Sequence, residues 1–343
     1  MDNSTLTQLW HSHQLRITDE IAKAPEVLFC NGSVIGTLGN FSASTGKAKS
    51  KKTFNVSAIL AAALTNGEVL RYIAEFPDDK RNILYFDTEQ SPHHCQRVMK
   101  RALQLAGLSL DNHPDSLFFA QLRALTPDVR LELIDNAIAT TPNIGLVIID
   151  GIRDMMFDIN NAIESSRLIN KLMEWTDKYQ IHIHTVLHLN KSDDNVRGHV
   201  GTELNNKAET VLQVSKSITD SEVTEVSASC IRSMDFPPFA FSVNEHSLPE
   251  IATDYAFARQ QTVKVFSYTE LTPEQHRQAL EIAFAEGDIK GCQNCEDRLK
   301  KAYAACGFPF GDGKVTKLKS FLMNKRMVER SNGAYSYNPD FYY

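Results

Sequence analysis

The sequence has no apolar run approaching the roughly 20 residues needed to cross a bilayer. Its first residues, MDNSTLTQLWHSHQL, lack the basic-then-apolar layout of a secretory leader, so a membrane partner is not expected. Cysteine is sparse, with six scattered over 343 residues. That excludes a disulfide-stapled scaffold and fits a reducing, cytoplasmic setting. Basic charge is not in excess: 36 Lys and Arg face 42 Asp and Glu, for a net charge of −6. Bulk attraction to nucleic acid is thereby excluded, and any such contact must come from local basic patches. No internal repeat or low-complexity tract breaks the chain. What is present is an ordinary globular composition, 42% hydrophobic and 23% charged, long enough for one large domain and a smaller one.

After a lead-in over residues 1–25, EVLFCNGSVIG gives two apolar runs joined at Asn31-Gly32, a strong hairpin signal. Strands and helices then alternate. NFSASTG, NILYFDTE, SLFFAQL, IGLVIID and IHIHTVLHLN read as strands, and TFNVSAILAAAL, HHCQRVMKRALQLAG, PDVRLELIDNAIAT and NAIESSRLINKLMEWTDKY as helices. Apolar strands alternating with helices predict a mostly parallel sheet covered on both faces. TVLQVSK, EVTEVSASCIRS and PFAFSVN read as shorter strands extending that sheet in antiparallel fashion. The expected organisation is an α/β domain over 26–250, a linker over 251–271, and a module over 272–343 with three helices and a terminal hairpin at Asn332-Gly333. That last pattern suggests a winged helix.

Between the strand NFSASTG and the alanine-rich helix lies GKAKSKKTF, Gly46–Phe54. It approaches the phosphate-cradling pattern G-x-x-x-x-G-K-[ST]. Gly46, Lys52 and Thr53 fall in register, and Lys51 stands where the second glycine belongs. Such a loop works because unspent N–H groups at a helix start face an anion, a lysine neutralises phosphate oxygens and a hydroxyl holds Mg²⁺. Lys51 removes a backbone position's freedom to adopt positive φ and adds a cation beside the phosphates. Taken alone, the stretch also describes a solvated basic loop. Three strand ends add weight. IGLVIID closes on Asp150, suited to a Mg²⁺ hydration shell. LYFDTE closes on Asp87 and Glu89, where a carboxylate could deprotonate an attacking water. HTVLHLNK places His188, Asn190 and Lys191 at a third strand mouth.

This order of motifs resembles the RecA-fold ATPase core of hexameric helicases, especially the RepA-like plasmid and mobile-element helicases and the DnaB-type replicative ones. The resemblance covers roughly residues 26–245. It implies that the loop Gly46–Thr53, including Lys49, Ser50 and Lys51, wraps the phosphates of ATP. Lys52 would bind the β/γ oxygens, and Thr53 and Asp150 the Mg²⁺. Glu89 would be the catalytic base, His188 the γ-phosphate sensor, and Arg97 would lie along the adenine. VRGHVGTELNNKAETVL is similar to the family's channel loop, which makes Lys191 and Arg197 candidate contacts to single-stranded DNA. SASCIRS resembles the strand that reaches a neighbour's ATP, with Arg232 as arginine finger and Cys230 where the family has lysine. Lys51 and Cys230 depart from the pattern. Losing one charge-stabilising group costs about 10²–10³ in rate, so slow turnover is expected.

The resemblance therefore implies an ATP-dependent DNA helicase or translocase assembled as a hexameric ring or filament, serving replication or mobilisation of a plasmid-like element. The alternative is an ATP-gated DNA-binding adaptor without unwinding activity. Lys317 and Lys319, in the basic stretch Lys314–Arg330, are further candidate DNA contacts; a solvated or subunit-packing face fits that stretch equally. Cys292 and Cys295, i and i+3 on a helix and joined by Cys306, lack the fourth ligand of a zinc site. Tyr335 and Tyr337 read as packing residues, and His182 and His184 as satisfied buried histidines.

Overall fold

The computed structural model of the protein describes residues 2–189, 198–257, 267–331 and 333–341. Lys191 and Arg197, expected to touch DNA, lie outside the described residues, as does Asn190. The chain forms two compact units, Met1–Ala256 and Phe257–Tyr343. No helix among the described residues is long and apolar enough to cross a membrane.

The first unit opens with α1 (Asn3–Ser12), capped by the Asp2 carboxylate and exposed along its whole length. β1 (Glu26–Cys30) and β2 (Ser33–Thr37) form the hairpin at Asn31-Gly32, whose φ values of 46° and 82° suit a tight two-residue turn. Next come β3 (Phe41–Gly46), α2 (Lys52–Thr65), β4 (Glu68–Val69) and β5 (Tyr72–Ala74). Strands β2-β1-β5-β4 make a small antiparallel sheet of their own. The alternation continues with β6 (Asn82–Asp87), α3 (Pro92–Leu105), β7 (Leu117–Gln121), α4 (Pro127–Thr140), β8 (Ile144–Asp150), α5 (Ala162–Tyr179) and β9 (His182–His188). It closes with α6 (Gly198–Lys207), β10 (Thr210–Lys216), β11 (Thr224–Ile231), β12 (Phe239–Val243) and β13 (Pro249–Ile251).

The large sheet runs β13-β12-β11-β10-β3-β9-β8-β6-β7. Six strands, β10 through β7 in that order, are parallel, and β11, β12 and β13 add antiparallel. This corrects one expectation, because TVLQVSK pairs parallel with β3, Leu212 beside Ser44. A parallel neighbour needs a crossover connection, and α6 lies in the connection from β9 to β10.

The sheet is buried on both faces, which is why its strands read as continuous apolar runs. Along β8 every residue is buried. Leu146 and Ile148 face one core with α2, while Val147 and Ile149 face another with α5. Helix α2 is buried on nearly all sides from Asn55 to Ala63, so its small side chains are what let it pack so closely. It ends at Asn66 in the left-handed region, a common way to stop a helix.

Two histidines sit inside this sheet in a chain of hydrogen bonds. His182 Nδ1 lies 2.9 Å from the Thr37 carbonyl, an acceptor only, so that nitrogen carries the proton. Its Nε2 then accepts from Ser42 Oγ at 2.7 Å. Ser42 Oγ in turn accepts from His184 Nδ1 at 2.8 Å, and His184 Nε2 accepts from Ser44 Oγ at 2.9 Å. Every link is satisfied with both rings neutral. Burial presses His184 down to about 3 and lowers His182 as well.

The second unit contains α7 (Pro273–Ala283), β14 (Ile289–Lys290), α8 (Cys292–Ala305), α9 (Asp312–Asn324), β15 (Val328–Ser331) and β16 (Ala334–Tyr337). Its sheet order is β14-β16-β15, and its own core gathers Leu280, Leu299, Tyr303, Leu318, Leu322 and Tyr335. A capping box at Thr272 and Gln275 starts α7, satisfying two N-terminal donors. His276 is buried, and burial lowers its pKa too.

A group kept neutral in the fold but free to protonate when unfolded makes stability fall with pH below its unfolded pKa. The contribution of His184 is complete above pH 6.5 and is lost as pH falls toward its folded value of about 3. By pH 5 this amounts to about 2 kcal/mol for His184, with His182 and His276 acting in the same direction. Denaturant unfolding at pH 7.5, 6.5 and 5 measures it. A midpoint that does not move between pH 6.5 and 5 contradicts the assignment.

Candidate nucleotide-binding site

The carboxyl ends of β3, β9, β8 and β6 meet at one edge of the sheet, where open α/β sheets bind ligands. Register places Gly46 beside His188 and Asp87 beside Asp150. A cleft of about 330 Å³ opens there. It is lined by Lys49–Phe54 of the loop and α2, by Glu89, His94, Arg97 and Arg101 around α3, and by Asp150 and His188. The sheet thus brings Lys52, Thr53, Glu89, Asp150, His188 and Arg97 to one cavity from four separate segments.

The loop's shape follows from its first residue. A Cβ on Gly46 would stand 2.2 Å from the Val214 carbonyl oxygen and 2.6 Å from Ser50 Oγ, so only glycine lets β3 turn out against β10. Ser50 N donates to Lys47 O at 3.2 Å and closes the turn. Lys49 and Lys51 both adopt φ of 64°. Lys51 therefore takes the left-handed conformation of the glycine it replaces, contrary to the expectation that this freedom is lost. It does so at a cost of about 1–2 kcal/mol. Lys51 lines the cleft, and its ammonium is tied to a neighbouring turn. Nζ donates to the Glu222 carbonyl at 2.7 Å, on the turn between β10 and β11.

Lys52 begins α2 and is only 5% exposed. Its ammonium donates to Gly46 O at 2.8 Å, Lys47 O at 2.9 Å and His188 Nδ1 at 2.9 Å. His188 therefore carries its proton on Nε2, which faces Glu89 Oε1 at 3.2 Å. Burial pushes Lys52 down to about 8, against the pull of Asp150 and Glu89. The His188 hydrogen bond holds Glu89 below the usual carboxylate range. Asp150 is pushed up to about 7 by burial and by the nearby Asp87, and Tyr85 OH donates to it at 2.9 Å. Asp87 plays a different part: its carboxylate accepts from the Glu89 and Gln90 N–H groups, shaping the turn that presents Glu89.

These residues fit a nucleotide and Mg²⁺. The N–H groups of Lys51, Lys52 and Thr53 at the start of α2 have no hydrogen-bond partner among the described residues, and Ser50 Oγ is buried with none. Unspent donors at a helix N-terminus form an anion cradle. Asp150 and Thr53 supply oxygen donors of the kind Mg²⁺ takes beside phosphates.

Residues 31–194 match the family model of an AAA domain. That match supports a P-loop ATPase class for this part of the chain, and with it ATP binding, usually with Mg²⁺. No curated protein matches the chain.

Other expected residues fall elsewhere. Arg232 follows β11 outside the cleft lining, with its guanidinium donating to Lys207 O at 3.0 Å, and Cys230 is exposed. Lys317 is exposed on α9. Lys319, expected to face DNA, is only 8% exposed. Its ammonium pairs with Glu296 at 2.5 Å and lies 2.6 Å from Cys292 Sγ, so it is spent inside the second unit. Two residues escaped the sequence reading. Tyr85 carried no signal in an apolar strand. Arg101 did carry one, lying four residues after Arg97 and so on the same face of α3.

Gly46→Ala should cost about 1–3 kcal/mol of stability, because the clashing atom is backbone of β10; an unchanged denaturation midpoint would count against this packing. Lys51→Gly relieves strain and removes the tie to Glu222. Faster amide hydrogen exchange at residues 217–223 is expected, and unaltered exchange there would show that the tie holds nothing.

Proposed function

We propose that this chain is an ATP-hydrolysing motor of the helicase or translocase kind, acting on single-stranded DNA. The observation that carries the reading is the convergence of Lys52, Glu89, Asp150 and His188 on one cleft at the sheet edge. In this reading Lys52 grips the β/γ oxygens of ATP and must exchange its bond to His188 for a phosphate oxygen. Glu89, ionised and half open to solvent, takes the proton from a water attacking the γ-phosphate. His188 touches both residues, so it links phosphate occupancy to the base. Mg²⁺, held by the phosphates with Thr53 and Asp150, would supply neutralisation of the developing charge.

Arg232 lies off its own chain's cleft, and it is proposed to complete a neighbour's site in a hexameric ring or filament. Support for self-association comes from Leu6, Leu9, Trp10, Ile17 and Ile21, all exposed along the first 25 residues, an unusual concentration of open apolar surface. The second unit is proposed as a winged helix, with Lys317 among its phosphate contacts. Service to replication or mobilisation of a plasmid or mobile element, in the cytoplasm, completes the reading.

Lys52→Ala should weaken Mg²⁺–ATP binding about tenfold or more. Glu89→Gln should retain binding but lower turnover by about 10²–10⁴. DNA-stimulated ATP turnover, strand displacement and molecular mass with and without nucleotide measure the rest. Strand displacement that survives Glu89→Gln defeats the mechanism. DNA binding that requires ATP, with no strand displaced by the wild type, assigns the chain instead as a nucleotide-gated adaptor.

A further inference from the structure

The cleft lining carries five cations, Lys49, Lys51, Lys52, Arg97 and Arg101, against the two acids Glu89 and Asp150, and two of the five stand together on α3. Glu89 and Asp150 act on Lys52. Across the cleft, Arg97 and Arg101 project from α3, and among the described residues neither guanidinium has a carboxylate within ion-pair distance. Arg97 is exposed, whereas Arg101 is only 9% exposed. One face of the Arg101 guanidinium is covered by the Phe54 ring, 3.7 Å away. Nε donates to Ser247 O at 3.2 Å and Nη1 lies 3.4 Å from Ser57 Oγ. Nη2 has no hydrogen-bond partner among the described residues. Burial, then the repulsion of Arg97, presses Arg101 down to about 10, which leaves it a cation at neutral pH.

An unpaired buried cation is costly, and an anionic ligand would offset that cost where a neutral one would not. The groups that hold the guanidinium are Phe54, Ser57 and Ser247, none of them a donor of the cradle at the start of α2. Ser57, which Arg101 touches, is four residues beyond Thr53, about 6 Å farther along the helix axis. A nucleobase is neutral, and the Phe54 ring already occupies one stacking face. Edge-on donors of a guanidinium suit phosphate oxygens best.

We propose that Arg97 and Arg101 form a second anion subsite in the nucleotide cleft, and that it takes a phosphate carried on the ribose. The cleft then favours nucleotides phosphorylated at both the 5′ and 3′ positions over those with 5′-phosphates alone. This rests on the nucleotide reading of the cleft.

The test is calorimetric titration of the full chain with ADP and with ADP bearing a 3′-diphosphate, and the quantity read is the ratio of the two affinities. The wild type should favour the 3′-phosphorylated nucleotide about tenfold or more. Arg97→Gln and Arg101→Gln should each bring the ratio toward one, and Arg101→Lys should restore part of it. Arg97 is exposed, so its variant decides the matter even where Arg101→Gln fails to fold. A wild-type ratio of one overturns the subsite. So does a ratio unmoved by Arg97→Gln, as when the substitution weakens both nucleotides alike. Absence of binding by either nucleotide, or by ATP, overturns the nucleotide reading itself and the subsite with it.

Discussion

The Lys52 ammonium is the point on which the rest of the cleft is hung. It reaches back to two carbonyls of its own loop and sideways to the ring of His188. For that to happen β3 and β9 must be neighbours, in register to the last residue, and both must end at the same height. The sheet order supplies this. From His188 the contact passes to Glu89, which a short turn built on Asp87 holds at the end of β6. Three strand ends are thus tied together through one buried cation, Asp150 at the end of β8 acts on it through charge, and the acids around it settle at unequal proton affinities. Asp150, deep and beside Asp87, is held high, whereas Glu89, fed a hydrogen bond by His188, is held low. Unequal environments around similar carboxylates favour the protonated form at one and the ionised form at the other.

Much of the first unit was legible because its signals are local and redundant. Apolar runs such as IGLVIID, alternating with helical patterns, read as strands buried on both faces, and Asn31-Gly32 read as a tight turn. The cleft residues Lys52, Thr53, Glu89, Asp150 and His188 were readable because each lies at or within two residues of an element's end, and the β-α alternation sends such ends to one edge. The place of β10 was not readable. A seven-residue strand carries no mark of its pairing sense, which depends on the route of the chain before it. The small sheet built from β4 and β5 was missed because strands of two or three residues leave no periodicity. Lys319 misled for a related reason: a lysine in a basic stretch reads as solvated until its helix face is known, and here that face turns inward to Glu296.

Arg101 and the histidine chain make a common point about polar groups inside this fold. His182 and His184 are tolerable in the sheet because serine hydroxyls on β3 alternate with them, each donor meeting an acceptor. Arg101 is held by an aromatic face, a carbonyl and a hydroxyl, none of which balances its charge. One group is complete by itself. The other is stable but electrically unfinished, and that difference separates a structural feature from a receptive one.

The lysine that replaces glycine in the loop changes when the loop acquires its form. A glycine there would leave the segment supple, to be moulded by whatever arrives. Lys51 instead sits at its unusual dihedral with the far end of its side chain anchored on Glu222, like a splint laid across two strands. The ordering is thereby completed as the polypeptide folds, and an incoming guest meets a mould already set. Rigidity of that kind trades adaptability for a lower entropic penalty on capture, and it gives the β10–β11 turn a mechanical grip on the cradle it borders.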